Sequence, residues 1–163
     1  MNPKIMRNCV VWKDKNGYEK VIFFNENTGK LYSRKKIGTI LDHNIDHPCV
    51  YLGRDNQGQH YVIHNHLLQF GTAAIDTWEG FSQGQPVTED TRYCANEPMQ
   101  RIANALDQVQ KREPYRVVSY NCQTTVNLAC NNVRKSETVS KWVEIGCIAL
   151  VGFILVKAIK SAS

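Results

Sequence analysis

The sequence predicts an α+β fold, with short antiparallel strands in its first half and helices in its second half. Residues 20–64 contain several β-prone runs separated by turn residues, such as the ENTG stretch at 26–29, as in strands joined by hairpins. Residues 99–109 have apolar side chains at helical spacing, and residues 145–156 form an apolar run without charge. Strands and helices segregated along a chain are typical of the α+β class.

The length of 163 residues suits one domain with an appendage. We predict a folded domain at 1–134, a polar linker at 135–141 and a membrane-anchoring helix at 142–160. The formal net charge of +5 is below that of a dedicated nucleic-acid binder. A mildly basic surface could still aid contact with anionic lipid or RNA.

The cysteine pattern predicts reduced thiols in a cytosolic compartment. The chain contains no CxxC pair, and its N-terminus is too polar for a secretory signal peptide. The six cysteines are Cys9, Cys49, Cys94, Cys122, Cys130 and Cys147.

The first predicted hairpin joins residues 20–24 to residues 30–33 through the turn at 25–29. The basic run at 34–36 is interpreted as a solvated turn. Further strands are predicted at 38–42, 48–53 and 59–64, with a hairpin loop at 54–58 between the last two. Residues 71–95 contain several glycines and are expected to be an irregular surface excursion.

The first helix is predicted to begin at Asn96, followed by Glu97 and Pro98 in the first turn. Glu113 and Pro114 end it, and an extended segment follows at 115–120. The apolar stripe of this first helix, which we interpret as a core face, consists of Met99, Ile102, Ala103, Leu106 and Val109.

A second helix is predicted to begin near Asn121. One of its faces carries Cys122, Val126, Ala129, Cys130 and Val133.

The C-terminal run is predicted to be a tail anchor. Residues 142–159 would form a helix about 27 Å long at ~1.5 Å per residue. Its eighteen residues are close to the roughly 20 that a membrane-spanning helix needs. Trp142 suits the membrane interface, and Lys157 can extend to the surface. The helix is apolar all round, so the alternative is a fully buried core helix.

Cys122 is the candidate nucleophile because it begins a predicted helix. The positive end of a helix favours a thiolate, and a nearby imidazole can take the thiol proton. The alternative is that Cys122 is a core residue, as we expect for Cys130.

The five histidines all lie between residues 43 and 66. His47 precedes one predicted strand and His64 ends the next, so a hairpin can place both on one face, one as base and one as orienting group. A zinc site is the alternative, from the four-residue spacing of His43 with His47 and of His60 with His64. That spacing suits metal-binding helices, whereas this region is strand-like and lacks a completing ligand pattern.

Two groups of motifs resemble the lecithin retinol acyltransferase family. Residues 38–42, residues 47–53 (HPCVYLG) and residues 61–64 (YVIH) resemble its H-box. Residues 120–122 (YNC), followed by residues 126–127, resemble its NC motif. The family includes the HRAS-like suppressor phospholipase/acyltransferases, which carry a C-terminal membrane helix, and the 2A proteins of parechoviruses and kobuviruses. The resemblance covers residues 38–127 and the tail arrangement.

The resemblance implies a circularly permuted papain-like (NlpC-type) fold, with an antiparallel sheet packed on helices and a C-terminal hydrophobic helix. It implies that Cys122 is the nucleophile that forms an acyl-thioester, that His47 is the base and that His64 orients His47. The implied substrate is a membrane glycerophospholipid, and neither a cofactor nor a metal is expected. The implied location is the cytoplasmic face of an intracellular membrane, in a host cell if the protein is viral.

Two departures favour the viral 2A-like branch. Gln123 and Thr124 stand where cellular members usually have Glu-His, and the stretch before Gly38 is longer. The first hypothesis is a thiol acyltransferase/phospholipase-like scaffold whose activity is open. The second is a non-enzymatic protein that supports viral replication through membrane or host-protein contacts. A third is weak RNA binding through the basic surface. The oligomeric state is not determined by the sequence.

Overall fold

The computed structural model describes residues 3–14, 16–35, 46–66, 69–116, 119–136, 139–140 and 143. The described residues form eight strands and three helices, and the predicted α+β class with an antiparallel sheet is confirmed. The elements are β1 (Lys4–Ile5), β2 (Cys9–Lys13), β3 (Glu19–Phe23), β4 (Leu31–Lys35), β5 (Asp46–Arg54), β6 (His60–His66), β7 (Thr72–Thr77), α1 (Trp78–Ser82), β8 (Val87–Glu89), α2 (Pro98–Lys111) and α3 (Cys122–Asn131).

The sheet is organised around β5. One edge of β5 pairs with β4 and, at Arg54, with β3, while the other edge pairs with β6, which in turn pairs with β7. The strands β1 and β2 extend the sheet beyond β3, and β8 extends it beyond β4. Every one of these pairings is antiparallel. The register of β5 with β6 shifts between Tyr51 and Gly53.

The two faces of the sheet have different cores because side chains alternate along β5. Val50 and Leu52 belong to the larger core, and α2 and α3 both pack against β5 and β6. Cys49 and Tyr51 belong to a smaller core on the other face, together with Phe81 of α1. This alternation decides which face of the sheet receives the candidate histidines.

The hairpin of β5 and β6 confirms the prediction for residues 48–64. The carboxylate Oδ1 of Asp55 accepts hydrogen bonds from the backbone N–H groups of Gln57 and Gln59 at 2.9 and 3.0 Å, which holds the tight turn. His47 lies inside β5, one residue after its start, whereas the sequence placed it just before the strand.

The prediction that residues 20–24 pair with residues 30–33 is wrong. β3 pairs with β2, for example Ile22 with Val10, and β4 pairs with β5. The intervening turn is present, but its end is bonded to β5 through Gly29 N–H to Tyr51 O and Tyr51 N–H to Lys30 O, both 2.9 Å. These two bonds lead the chain into a different strand pairing after the turn.

The prediction that residues 71–95 are irregular is wrong for residues 72–89, while residues 90–95 lie outside the strands and helices. The segment contains β7, α1 and β8. Thr77 begins α1 by accepting the N–H of Gly80 with its hydroxyl at 3.0 Å, a standard helix cap. The glycines that favoured an irregular segment lie at element ends or inside α1.

The first helix begins slightly later and ends earlier than predicted. Pro98 opens α2, and Glu97 is the N-cap without a side-chain hydrogen bond. The Asn96 amide instead donates to Ala129 O at 2.8 Å, tying the start of α2 to α3. Ile102 and Leu106 are buried as the stripe predicts, whereas Met99 is exposed. An extended segment was predicted at residues 115–120. Among its described residues, Arg116 and Tyr120 form an isolated β-bridge.

The second helix is confirmed. Its cap is Asn121, whose Oδ1 accepts the N–H groups of Gln123 and Thr124 at 3.0 and 3.1 Å. The predicted apolar face is buried at Cys122, Val126, Ala129 and Cys130, while Val133 lies beyond the helix and is exposed.

The prediction that all cysteines are reduced thiols is wrong for two of them. Cys94 and Cys130 form a disulfide with Cα atoms 4.6 Å apart, within the range that a bridge requires. The backbone N–H of Asn96 donates to Cys130 O at 2.8 Å, which holds the segment of Cys94 against α3. Among the described cysteines, Cys9, Cys49 and Cys122 are not part of a disulfide.

Several predictions lie outside the described residues. They are the strand at 38–42, His43, Cys147, and all of the predicted helix at 142–160 except Val143. Within the part of the chain that is described, no helix has the length and apolar character that a membrane crossing needs.

Candidate functional site

His47 and His64 are in direct contact. β5 and β6 are paired neighbours, and Nε2 of His47 lies 3.0 Å from Nδ1 of His64. The two ring centroids are 5.2 Å apart, with the rings at 89° to each other. Both side chains are buried, at 1% and 0% exposure. The expectation that the hairpin brings these two imidazoles together on one face therefore agrees with the structure.

Asp76 of β7 lies at the far end of this pair. Its Oδ2 is 3.2 Å from Nε2 of His64. Burial is the main influence on His64 and lowers its pKa from the ordinary value of 6.5, helped by the charge of Arg34 and opposed by the hydrogen bond and charge of Asp76. His64 is therefore a neutral imidazole at pH 7.

The Asp76 carboxylate is itself held by several groups. Its Oδ1 accepts the N–H of Thr77 at 2.8 Å, and its Oδ2 accepts the Nε2–H of Gln69 at 2.9 Å. Gly80 of α1 lies directly against the carboxylate, because a Cβ there would come 2.5 Å from Oδ1. Asp76 thus occupies a fixed position beside His64.

Aromatic rings surround the imidazole pair. Phe81 is stacked on His47 with centroids 5.6 Å apart, and it meets His64 edge-on at 5.3 Å. The ring centroid of Phe70 lies 5.6 Å from that of His64, and the ring centroid of His66 lies 5.3 Å from that of His47. These rings keep bulk water away from the bond between the histidines, which strengthens its electrostatics.

Cys122 is the first residue of α3 and is 4% exposed. The body of α3 packs on the larger core through Val126 and Ala129, on the opposite face of the sheet from the imidazoles. The amide of Asn65 donates to the Thr125 hydroxyl at 3.2 Å, which ties the first turn of α3 to β6. The thiol therefore lies at the end of α3 that is anchored to the strand carrying His64.

Arg34 lies near both the Cys122 thiol and the face of the sheet that carries His47 and His64. It lies directly across β4 and β5 from His47. Burial lowers the pKa of Arg34. The negative charge that Cys122 or Cys49 carries as a thiolate opposes that shift. Cys122 is thus within electrostatic range of the guanidinium, which stays charged because arginine loses its proton only at extreme pH.

The Arg34 side chain is buried at 2% exposure, so the predicted solvated turn is wrong at this residue. Its Nε donates to Phe81 O, and its other nitrogens donate to Lys35 O at 3.0 Å and Gln83 Oε1 at 3.2 Å. The guanidinium carbon also lies 5.6 Å from the Phe81 ring centre. These bonds satisfy a charge that would otherwise be costly to bury.

Cys49 is a second buried thiol near Arg34, and its environment differs. It is 0% exposed in the smaller core, and burial raises its pKa well above the ordinary value. A thiol held in its neutral form is a poor nucleophile. Cys49 is therefore a core residue.

Sequence reasoning missed Asp76 and Arg34. Asp76 lay in a segment interpreted as irregular, and its strand gives no alternating signal, because Ala73, Ala74 and Ile75 are consecutive apolar residues. Arg34 was hidden in a basic run. The zinc alternative has no support among the described residues, since no three of their His, Cys, Asp or Glu side chains are placed to hold a metal ion.

Comparisons with known proteins identify no relative. No family model matches the chain, and neither the curated proteins nor the solved structures contain a significant match.

Proposed function

We propose that this protein is a thiol-dependent acyl-transfer protein of the H-box/NC class. More particularly, we propose a membrane-associated phospholipase A/acyltransferase in which Cys122 is the nucleophile, His47 the base and His64 the group that orients His47. The observation that carries the proposal is the 3.0 Å contact between Nε2 of His47 and Nδ1 of His64. One imidazole held by another corresponds to the base and the orienting group of a catalytic triad.

The proposed reaction begins when His47 takes the proton of the Cys122 thiol. The sulfur attacks the carbonyl carbon of a glycerophospholipid ester and forms a C–S bond, and the carbonyl oxygen becomes an oxyanion. Collapse of this intermediate breaks the ester C–O bond, and the leaving alkoxide takes the proton from His47. Water or an amine then attacks the thioester, again with His47 as base, and releases the thiol.

Two features favour a thiolate at Cys122. The positive charge of Arg34 interacts with the Cys122 charge, and this interaction is reciprocal, so the guanidinium stabilises the thiolate. Cys122 also follows the N-cap of a 10-residue helix, where the backbone dipoles favour negative charge. Burial of the Cys122 side chain at 4% exposure opposes both effects, because a dry site disfavours a charged sulfur.

The remaining parts of the proposal rest on the motif order. A papain-like circular permutation fits the chain order His47, His64, Cys122 and a helix that begins at its cysteine. We further propose that residues 142–160 anchor the domain on the cytoplasmic face of an intracellular membrane, which would keep the site near its lipid substrate.

A non-enzymatic 2A-like protein is the second candidate, and one specific observation favours it. Gln123, which stands where cellular members have Glu, accepts a hydrogen bond from the Ser136 hydroxyl at 2.9 Å, a structural role. With Cys122 only 4% exposed, the site is closed in this conformation. Such a protein would act through membrane, host-protein or weak RNA contacts.

The deciding experiment is covalent labelling of the full-length protein with an electrophilic lipid probe in vesicles, read by mass spectrometry of the modified peptide. The proposal expects an adduct on Cys122 that disappears in Cys122→Ser and His47→Ala and persists in Cys9→Ser, a matched control at another cysteine outside the disulfide. Absence of any Cys122 adduct would reject the enzymatic proposal. The second candidate would gain support if deletion of residues 142–163 abolished the protein's support of viral replication while Cys122→Ala retained it.

A further inference from the structure

We propose that Asp76 is a positioning residue that sets the protons on both imidazoles, so that Nδ1 of His47 is the basic nitrogen of the site. The catalytic meaning of this inference rests on the proposed function, but the proton arrangement itself does not. It follows from a chain of three side chains, Asp76, His64 and His47, linked by contacts of 3.2 and 3.0 Å.

The first step is the proton on His64. A carboxylate only accepts hydrogen bonds, and Asp76 already accepts from Thr77 N–H and from the Gln69 amide. The contact between Asp76 Oδ2 and His64 Nε2 is therefore a hydrogen bond only if Nε2 carries the proton. Since burial keeps His64 neutral, its Nδ1 then bears a lone pair.

The second step passes this arrangement to His47. Nδ1 of His64, bearing a lone pair, can only accept, so Nε2 of His47 must donate across the 3.0 Å contact. A neutral His47 with a proton on Nε2 has its lone pair on Nδ1. When Nδ1 takes a proton, the imidazolium keeps its bond to His64, and the carboxylate of Asp76 stabilises the added charge through that ring.

The third observation is that the surroundings keep Asp76 in place. The Asp76 side chain is 13% exposed, so the carboxylate acts through a partly desolvated medium. Gly80 leaves room for it, because any Cβ at that position would overlap both carboxylate oxygens. Because Gly80 has an ordinary helical conformation, the glycine is required by this contact and not by the backbone.

Asp76→Asn gives a sharp prediction. Thr77 N–H donates to Oδ1, so the amide oxygen of an asparagine would take that place and its NH2 group would face His64. A donor facing Nε2 reverses the proton order, which leaves Nδ1 of His47 protonated and unable to act as base. A comparable tautomer reversal in a serine-protease triad reduces the catalytic rate by about 10⁴-fold. For Asp76→Asn we expect the rate of Cys122 acylation to fall by on the order of 10³-fold or more.

The test is ¹⁵N NMR of the ring nitrogens in the histidine-labelled full chain, in which His43→Gln, His60→Gln and His66→Gln variants identify the signals of the other three histidines. In the wild type we expect Nε2 protonated and Nδ1 unprotonated in both His47 and His64. Asp76→Asn should reverse this pattern, and Gly80→Ala, which displaces the carboxylate without changing any ionisable group, should disturb it. The control is Asp46→Asn, which removes a carboxylate beside His47 that pairs with Lys35, and which should leave the pattern unchanged.

A wild-type spectrum with the proton of His64 on Nδ1, or an unchanged pattern in folded Asp76→Asn, would overturn the inference. The wild-type spectrum decides the proton order even if the variants do not fold. If the spectra agree but no acyl adduct forms on Cys122, the positioning role of Asp76 stands and the proposed function fails.

Discussion

Arg34 lies directly opposite His47 in the β4–β5 pairing, and the two side chains share the Phe81 ring as a neighbour, at 5.6 Å from the guanidinium carbon and 5.6 Å from the imidazole centroid. A fixed positive charge therefore lies one strand away from the candidate base. It belongs to the same buried cluster as the imidazole pair, so the charge of Arg34 and the protons of the histidines are coupled.

The proposed base is tested by His47→Ala. We expect the rate of thioester formation at Cys122 to fall by about 10²–10⁴-fold, the usual contribution of a positioned general base. The measurement is single-turnover acylation of the folded protein. His60→Ala is the matched control because His60 lies on the same hairpin and bonds to the Tyr51 hydroxyl at 2.6 Å, away from the pair. Equal rates in the two variants would contradict the assignment.

The lowered pKa of His64 predicts how stability depends on pH. The unfolded chain binds a proton on this histidine near its ordinary pKa of 6.5, whereas the folded protein does so only at lower pH. Its contribution to stability is therefore complete above pH 6.5 and is lost as pH falls toward the folded pKa. Urea unfolding between pH 7.5 and pH 5 should show a declining midpoint, and His64→Gln should flatten the decline. A midpoint that rises on acidification would contradict the buried neutral imidazole.

Replacement of Arg34 should affect both stability and thiol reactivity. Arg34→Met leaves the buried carbonyl of Phe81 without its donor, and we expect a loss of about 2–3 kcal/mol in the free energy of unfolding. It also removes the cation near Cys122, so alkylation of this thiol should require higher pH. Lys35→Met is the control, because Lys35 is exposed and its ion pair with Asp46 lies in solvent. Identical pH profiles for the two variants would show that Arg34 has no influence on the thiol.

The disulfide between Cys94 and Cys130 is tested by a Cys94→Ser/Cys130→Ser variant. The bridge closes a loop with a sequence separation of 36, and the chain-entropy relation gives a loss of about 3–4 kcal/mol on its removal. Chemical unfolding of oxidised protein measures the change, and Cys9→Ser serves as the control. Mass spectrometry after blocking free thiols should find Cys94 and Cys130 unmodified, and blocking of both would disprove the bridge.

Local pattern was enough to predict some of these elements. The strand at residues 48–53, its hairpin with residues 59–64 and the helix beginning at Cys122 were predictable because each depends on neighbours in sequence: β-prone residues, an Asp-containing turn and an Asn cap. The same local information placed His64 at the end of one strand and His47 just before its neighbour, whereas His47 lies inside β5.

Other features depended on contacts between distant segments. The turn at residues 25–30 is bonded to Tyr51, so β4 pairs with β5, a choice that no local pattern encodes. The burial of Arg34 depends on the Phe81 carbonyl, 47 residues away. Cys94 meets Cys130 because the Asn96 backbone and amide bond to the end of α3.

The sequence by itself therefore determined the α+β class, the hairpin that carries the two histidines and the helix that presents Cys122, since these rest on β-prone runs, turn residues and helix capping. Only the tertiary structure decided that Asp76 completes the imidazole chain and that Arg34 lies beside it. The physical reason is that a buried carboxylate or guanidinium is stable only where distant backbone and side-chain partners converge on it, and local sequence does not specify that convergence.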